Sequence, residues 1–198
     1  MSLSLIVETP APKESFEYIV EEGNSKGSQN FFIKGPYMMA EGVNRNKRIY
    51  PLEEMQREVK RYENLMVKTG RAMGELNHPS TADVDLERAC HLVTEMSQDG
   101  NVFYGKSKVL STPTGLIVRS LINDGVRVGM SSRALGQLIP ESGQDGISRV
   151  QDFKLVAIDC VADPSFPKAF VNGILESKQY VVNAYGQFEE AYNNFEKT

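Results

Sequence analysis

The sequence predicts an α+β fold: a closed or nearly closed sheet with a few helices around it. Three features predict it. Period-two alternation of apolar and polar residues recurs along the chain, short helical patterns interrupt it, and Gly, Pro and Asp turn signals separate the two. At 198 residues with 40% apolar side chains the chain can bury one domain core. Its net charge of −4 argues against phosphate-backbone binding as its main task. Two Cys cannot build a disulfide scaffold and point to a reducing compartment, and two His exclude a multi-His metal cage. No apolar run is long enough to span a membrane, and no basic stretch followed by an apolar block marks a secretory signal.

Residues 1–30 are polar and loop-like, with Pro10, Pro12, Gly23 and Gly27, and predict a flexible N-terminal segment. The main domain is expected over residues 31–176. It opens with a strand from Phe31 to Met39, interrupted by Gly35-Pro36, which suits an edge or a bend. A basic, amide-rich turn follows from Asn44 to Arg48. Tyr50-Pro51 then opens a helix, with Leu52, Met55, Val59, Tyr62 and Leu65 at helical spacing and Gly70 closing it. Ala89 to Ser97 alternates as a strand, Asp99-Gly100 signals a hairpin, and Val102 to Leu110 is the return strand. Thr112-Pro113-Thr114 caps a short helix that ends at Gly125. A strand over Val126–Leu138 leads to a turn over Gly143–Gly146. The stretch Phe153–Val161 is the most β-rich, with one carboxylate inside it, and Asp163-Pro164 ends it. Pro167–Ile174 suits a short helix. Over residues 177–198, Val181, Tyr185, Phe188, Tyr192 and Phe195 recur every three or four positions, predicting an amphipathic C-terminal helix.

Three constellations can carry chemistry. In Gly74-Glu75-Leu76-Asn77-His78-Pro79 a loop imidazole precedes a proline, which holds the residue before it in an extended backbone. Glu75 and His78 could share a metal, but a zinc site needs three or four ligands and no further cluster accompanies them. In Gly129-Met130-Ser131-Ser132-Arg133-Ala134-Leu135-Gly136 two strand serines point to opposite faces, and the glycines allow a substrate backbone to come close. Asp159 lies inside the apolar run Val156–Val161, where an unpaired charge is costly unless the position faces solvent. Serine needs a base to act as a nucleophile, and only His78 and His91 are available. His91 sits in a strand that reads as structural. Cys160 is a poor rival nucleophile, because an apolar strand raises a thiol pKa.

The blocks Ala40–Pro51, Gly74–Pro79 and Gly129–Gly136, with a weaker one from Phe153 to Ser165, resemble the prohead core protein proteases of tailed bacteriophages of the T-even type. They cover roughly residues 35–172. The resemblance implies a serine endopeptidase that cuts scaffold, core and major capsid proteins inside the immature phage head, within the bacterial cytoplasm. No cofactor or metal is expected, and no membrane or direct nucleic-acid binding. It also implies a β-barrel of about seven strands wrapped by helices, similar to the herpesvirus assemblins, whose dimers make a homodimer or higher oligomer an expectation. By position, His78 corresponds to the base and Ser131 to the nucleophile, with Ser132 its neighbour. Asp159 fits the third member best, with Asp163 and Asp152 as alternatives. Gly129, Ser132 and the Arg133 region lie in the expected vicinity of the oxyanion and substrate. The family cuts after an aliphatic residue, any residue, then Glu. Ile6-Val7-Glu8 and Ile174-Leu175-Glu176 match that pattern and imply self-cleavage after Glu8, Glu176 or both. The competing readings are a non-enzymatic phage head or scaffold protein that keeps the fold, and a metal-dependent hydrolase using Glu75 and His78.

Overall fold

The structure, a computed structural model, describes residues 3–8, 17–22, 29–44, 46–126, 128–143, 146–162, 179–182 and 188–190. Its strands are β1 (Leu3–Glu8), β2 (Glu17–Glu22), β3 (Gln29–Met39), β4 (Arg48–Ile49), β5 (Met73–Glu75), β6 (Ala89–Asp99), β7 (Val102–Val109), β8 (Val128–Pro140), β9 (Ser148–Ala162), β10 (Gln179–Val182) and β11 (Phe188–Glu190). Helix α1 (Leu52–Tyr62) runs on into a π-helical turn, Glu63–Val67, and α2 is Pro113–Asn123. One sheet has the order β11-β10-β1-β8-β9-β4 and the other β2-β3-β7-β6-β5. The α+β class holds, but the sheets do not close into the expected barrel. Where they meet, one parallel bridge joins Leu76, just after β5, to Cys160 of β9. No helix among the described residues is long and apolar enough to cross a membrane.

The central hairpins follow from local sequence. Gly100, at φ +56°, provides the left-handed turn between β6 and β7, which pair from Asp99–Val102 back to His91–Val109. Strand β3 runs through Gly35-Pro36 without ending. Its β2 partner stops at Lys34, so Pro36 donates nothing to that side, and a bulge at Tyr37 takes up the irregularity. The buried Tyr37 ring lies over Gly105, where a Cβ would come within 2.1 Å of it, and its hydroxyl shares a 2.7 Å hydrogen bond with Ser107.

Helix α1 buries Met55, Val59 and Tyr62, as its spacing predicts, while Leu65 is left half-exposed. Glu53 and Glu54 in its first turn and Lys60 and Arg61 in its last suit the helix dipole. The helix also guards the open edge of β9. Glu58 Oε1 accepts from Leu155 N–H at 2.8 Å, Glu54 Oε2 accepts from Phe153 N–H at 3.2 Å, and Arg61 Nη2 donates to the Leu155 carbonyl at 2.8 Å. In α2, Thr112 caps the N-terminus by accepting from Gly115 N–H, and Gly125 at φ +83° ends the turn beyond it.

The termini differ from the sequence reading. Two strands, β1 and β2, lie within the segment expected to be loop-like, paired to β8 and β3. Residues 179–182 and 188–190 pair as strands rather than forming turns of the expected helix. Tyr180, Val181 and Val182 are aromatic or β-branched, and such side chains suit a pleated surface. The short helix expected over 167–174 lies outside the described residues.

Candidate active site

The site forms where the β8–β9 ladder meets the loop after β5. Ser131 of β8 lies directly opposite Asp159 of β9, so both side chains stand on one face. Arg133, two residues beyond Ser131, stands on that same face, and Ser132 on the other. The third contribution is long-range. β5 carries Gly74 and Glu75 to the edge of β9, and Leu76 then bridges to Cys160. Asn77 N–H donates to the Cys160 carbonyl at 2.8 Å, with Asn77 in the left-handed region at φ +63° that Asn tolerates. His78 follows, its backbone restricted by Pro79. Local chemistry thus turns the imidazole toward the two strands.

The result is a continuous chain of hydrogen bonds. Asp159 Oδ2 lies 2.9 Å from His78 Nδ1, and His78 Nε2 lies 2.8 Å from Ser131 Oγ. Asp159 pairs as a carboxylate, so Nδ1 carries the proton and Nε2 presents its lone pair to the serine hydroxyl. Burial alone would push the Asp159 carboxyl up. The His78 hydrogen bond, the Arg133 and His78 charges and the Glu75 N–H bond outweigh it and hold the carboxyl below its ordinary range. Asp159 and Ser131 are fully buried; the His78 side chain keeps 12% of its surface exposed.

A second layer, not anticipated from the sequence, fixes Asp159. Arg133 is fully buried and donates through Nε to Asp159 Oδ2 at 2.9 Å and through Nη2 to Glu75 Oε1 at 2.9 Å. Its Nη1 reaches the carbonyls of Thr81 at 2.8 Å, Ala82 at 3.3 Å and Asp83 at 3.0 Å. The guanidinium therefore ties the carboxylate of β9 to the loop that carries His78. Glu75, also fully buried, takes a second cation, Arg88, at 3.1 Å and accepts from Asp85 N–H at 2.9 Å. The expectation that the Arg133 region serves the oxyanion does not extend to its side chain, because these acceptors occupy its donors. Glu75 is likewise engaged away from His78, and no metal-like group of three or more His, Cys, Asp or Glu exists among the described residues. The signal that could have found Arg133 is its i+2 spacing from Ser131 on a strand, which puts both on one face.

The remaining expected residues are placed as follows. Gly129 pairs with Val161 in β8, and Ser132 pairs with Ile158 on one side and Glu8 on the other. Asp152 lies further along β9 and accepts from Gln137 Nε2, away from His78. Asp163 and Glu176 lie outside the described residues. Cys160 is buried near Cys90, whose thiol the Cys160 hydrogen bond and burial push up, far from a reactive thiolate.

His91 is fully buried under Gly74, where a Cβ would lie 2.1 Å from His91 Nε2, and its ring nitrogens lack a well-placed partner. Burial lowers its pKa from 6.5 to about 4, against the opposing pull of Asp159 and the Ile158 carbonyl. The unfolded chain therefore takes up a proton at His91 before the folded one does. Its contribution is complete above pH 6.5 and is lost as pH falls toward 4, amounting to about 3 kcal/mol. Asp159, held low, loses its contribution in the same direction at lower pH still. Urea unfolding should show stability falling from pH 7 to pH 4.5, and His91→Leu should flatten that slope. An unchanged slope in the variant would remove His91 from the account.

The sequence profile of the prohead core protein serine proteases matches residues 9–179. The prohead core protein protease of Enterobacteria phage T4 is 38% identical over 165 residues, covering 81% of this chain and 77% of that protein. The solved structure of the bacteriophage T4 capsid assembly protease superposes with a TM-score of 0.72 at 33% identity, covering 81% of this chain and 99% of that one. The chain belongs to the prohead core protein serine protease family.

Proposed function

We propose that this chain is a serine endopeptidase that cuts scaffold, core and capsid proteins inside an immature phage head, and that it also cuts itself. The observation that carries the reading is the unbroken hydrogen-bonded run from Ser131 through His78 to Asp159. In this reading His78 Nε2 takes the Ser131 proton as Oγ bonds to the peptide carbonyl carbon. Asp159 keeps its charge, orients the ring and stabilises the imidazolium. Backbone N–H groups around Ser131 hold the oxyanion. His78 then protonates the leaving amine as the C–N bond breaks, and water, activated by the same base, hydrolyses the ester.

The test is a fluorogenic peptide with Ile-Val-Glu before the scissile bond. Cleavage after Glu, blocked by a serine-directed phosphonate and untouched by a chelator, is expected. Asp159→Asn should lower kcat by about 10⁴, because the amide can hold the wrong imidazole tautomer. Chelator-sensitive cleavage that survives Asp159→Asn would point instead to metal-assisted hydrolysis.

A further inference from the structure

We infer that Glu75 is a positioning residue for the peptidase: by competing with Asp159 for the Arg133 guanidinium, it sets how firmly Asp159 holds a protonated His78, and so the pH at which His78 serves as base. The inference rests on the peptidase reading above. The observation that carries it is one shared donor. Arg133 Nη2 lies 2.9 Å from Glu75 Oε1 and 3.3 Å from Asp159 Oδ1, while Nε donates to Asp159 Oδ2 at 2.9 Å. Oδ2 is also the oxygen that meets His78 Nδ1. Glu75 thus draws the guanidinium off a full two-bond grip on Asp159. It reaches the other oxygen through its own backbone, whose N–H donates to Asp159 Oδ1 at 3.0 Å. The Glu75 carboxylate is held in turn by Arg88 Nε at 3.1 Å and by Asp85 N–H at 2.9 Å. Arg88 Nη2 is anchored on the Leu76 carbonyl at 3.0 Å.

Arg88, Glu75, Arg133 and Asp159 form a string of alternating charge that ends on the imidazole. Proton transfer from Ser131 adds a positive charge at that end. Asp159 and Glu75 favour it; Arg133 and Arg88 oppose it. Glu75, Arg133 and Asp159 have no exposed surface, so their charges act at an effective dielectric constant far under that of water. The Arg88 side chain is 43% exposed, and solvent screens part of its charge. Without the Glu75 charge, Arg133 closes its fork on both oxygens of Asp159. The imidazolium then loses support twice over, and His78 gives up its proton at lower pH. Without the Arg88 charge, Glu75 pulls harder on Arg133, and the effect reverses. The other titratable groups set around Asp159 stay neutral between pH 5 and 8. Burial raises the Tyr62 phenol of α1, the Cys160 hydrogen bond and burial raise the Cys90 thiol of β6, and burial lowers His91 of β6 to about 4.

The experiment records kcat/KM for the fluorogenic Ile-Val-Glu peptide from pH 5 to 8. It compares the unaltered chain with Glu75→Gln, Arg88→Gln and the double variant. The midpoint of the acid limb reports the base of the free enzyme, and the substrate's own glutamate titrates alike in every form. Glu75→Gln should move that midpoint down by about half a pH unit or more. Arg88→Gln should move it up by a smaller step, about 0.2–0.4, that shrinks in 0.5 M salt. The double variant should fall between them. It also removes the donor-to-donor contact that the new amide makes with Arg88 in Glu75→Gln. A merely structural loosening of the loop lowers kcat without moving the midpoint in opposite directions. Where Glu75→Gln fails to fold by circular dichroism, Arg88→Gln decides, because it alters a partly exposed side chain. Midpoints that stay put or move the same way, or an Arg88→Gln midpoint at or below that of the unaltered chain, overturn the inference alone. Inactivity of every form, with no phosphonate adduct on Ser131, overturns the peptidase reading and the inference with it.

Discussion

Ser131→Ala should abolish peptide cleavage, lowering kcat by about 10⁴–10⁶ while leaving the fold intact. The change removes one oxygen from a strand position where the backbone pairing to Asp159 and the packing are otherwise kept. What is lost is the atom 2.8 Å from His78 Nε2. The neighbouring serine supplies the internal control. Ser132 stands on the opposite face of β8, so Ser132→Ala should change kcat by less than about tenfold. The comparison is made by steady-state kinetics on the Ile-Val-Glu peptide, with circular dichroism to verify folding. Retained activity in Ser131→Ala together with loss in Ser132→Ala would reverse the assignment of the nucleophile.

Arg133→Met should destabilise the protein by about 3–5 kcal/mol, the range for breaking a buried ion pair from one side. The methionine fits the space but leaves Glu75 and Asp159, both fully buried, without their shared cation. It also leaves three carbonyls of the His78 loop without their donor. Arg88 still serves Glu75, so the heavier loss falls on Asp159. Combining Arg133→Met with Glu75→Gln removes one of the stranded charges, and the double variant should recover part of the loss. Urea unfolding of the two single variants and the double one measures this directly. A loss below about 1 kcal/mol, or strict additivity, would show that the three groups do not act as a unit. The cluster also constrains the chemistry. A carboxylate oxygen that accepts from both Arg133 and His78 is a weak base, so Asp159 stays ionised and orients the imidazole rather than taking its proton.

Much of the fold is legible because its signals are local. The β6–β7 hairpin follows from alternation around Asp99-Gly100, and α1 from apolar residues every three or four positions with acidic residues at its start. Each member of the hydrogen-bonded run stands in a short block readable by residue type: a loop His before Pro, a serine pair between glycines, and an acid inside an apolar strand. Their convergence is not local. It depends on β5 meeting the edge of β9, a contact between residues 84 apart, as in the bond from Glu75 N–H to Asp159. The same limit explains β1, whose partner β8 lies far along the chain; β2 pairs with the nearby β3, but its polar surroundings with Gly23 and Gly27 read as loop. It also explains the C-terminal strands, where an apolar spacing of three or four matches a helix while Tyr180-Val181-Val182 favours a strand once a partner is present. Glu75 shows the sharpest difference: beside His78 in sequence it suggests a metal ligand, yet in space its carboxylate faces two arginines.

The central claim is that Ser131 is a nucleophile made reactive by His78. Its most direct measurement is to treat the folded protein with a fluorophosphonate and locate the adduct by peptide mass spectrometry. A single adduct on Ser131, lost in His78→Ala but kept in Ser132→Ala, is the predicted result. An adduct on another residue, or active protein with Ser131 unlabelled, would contradict it.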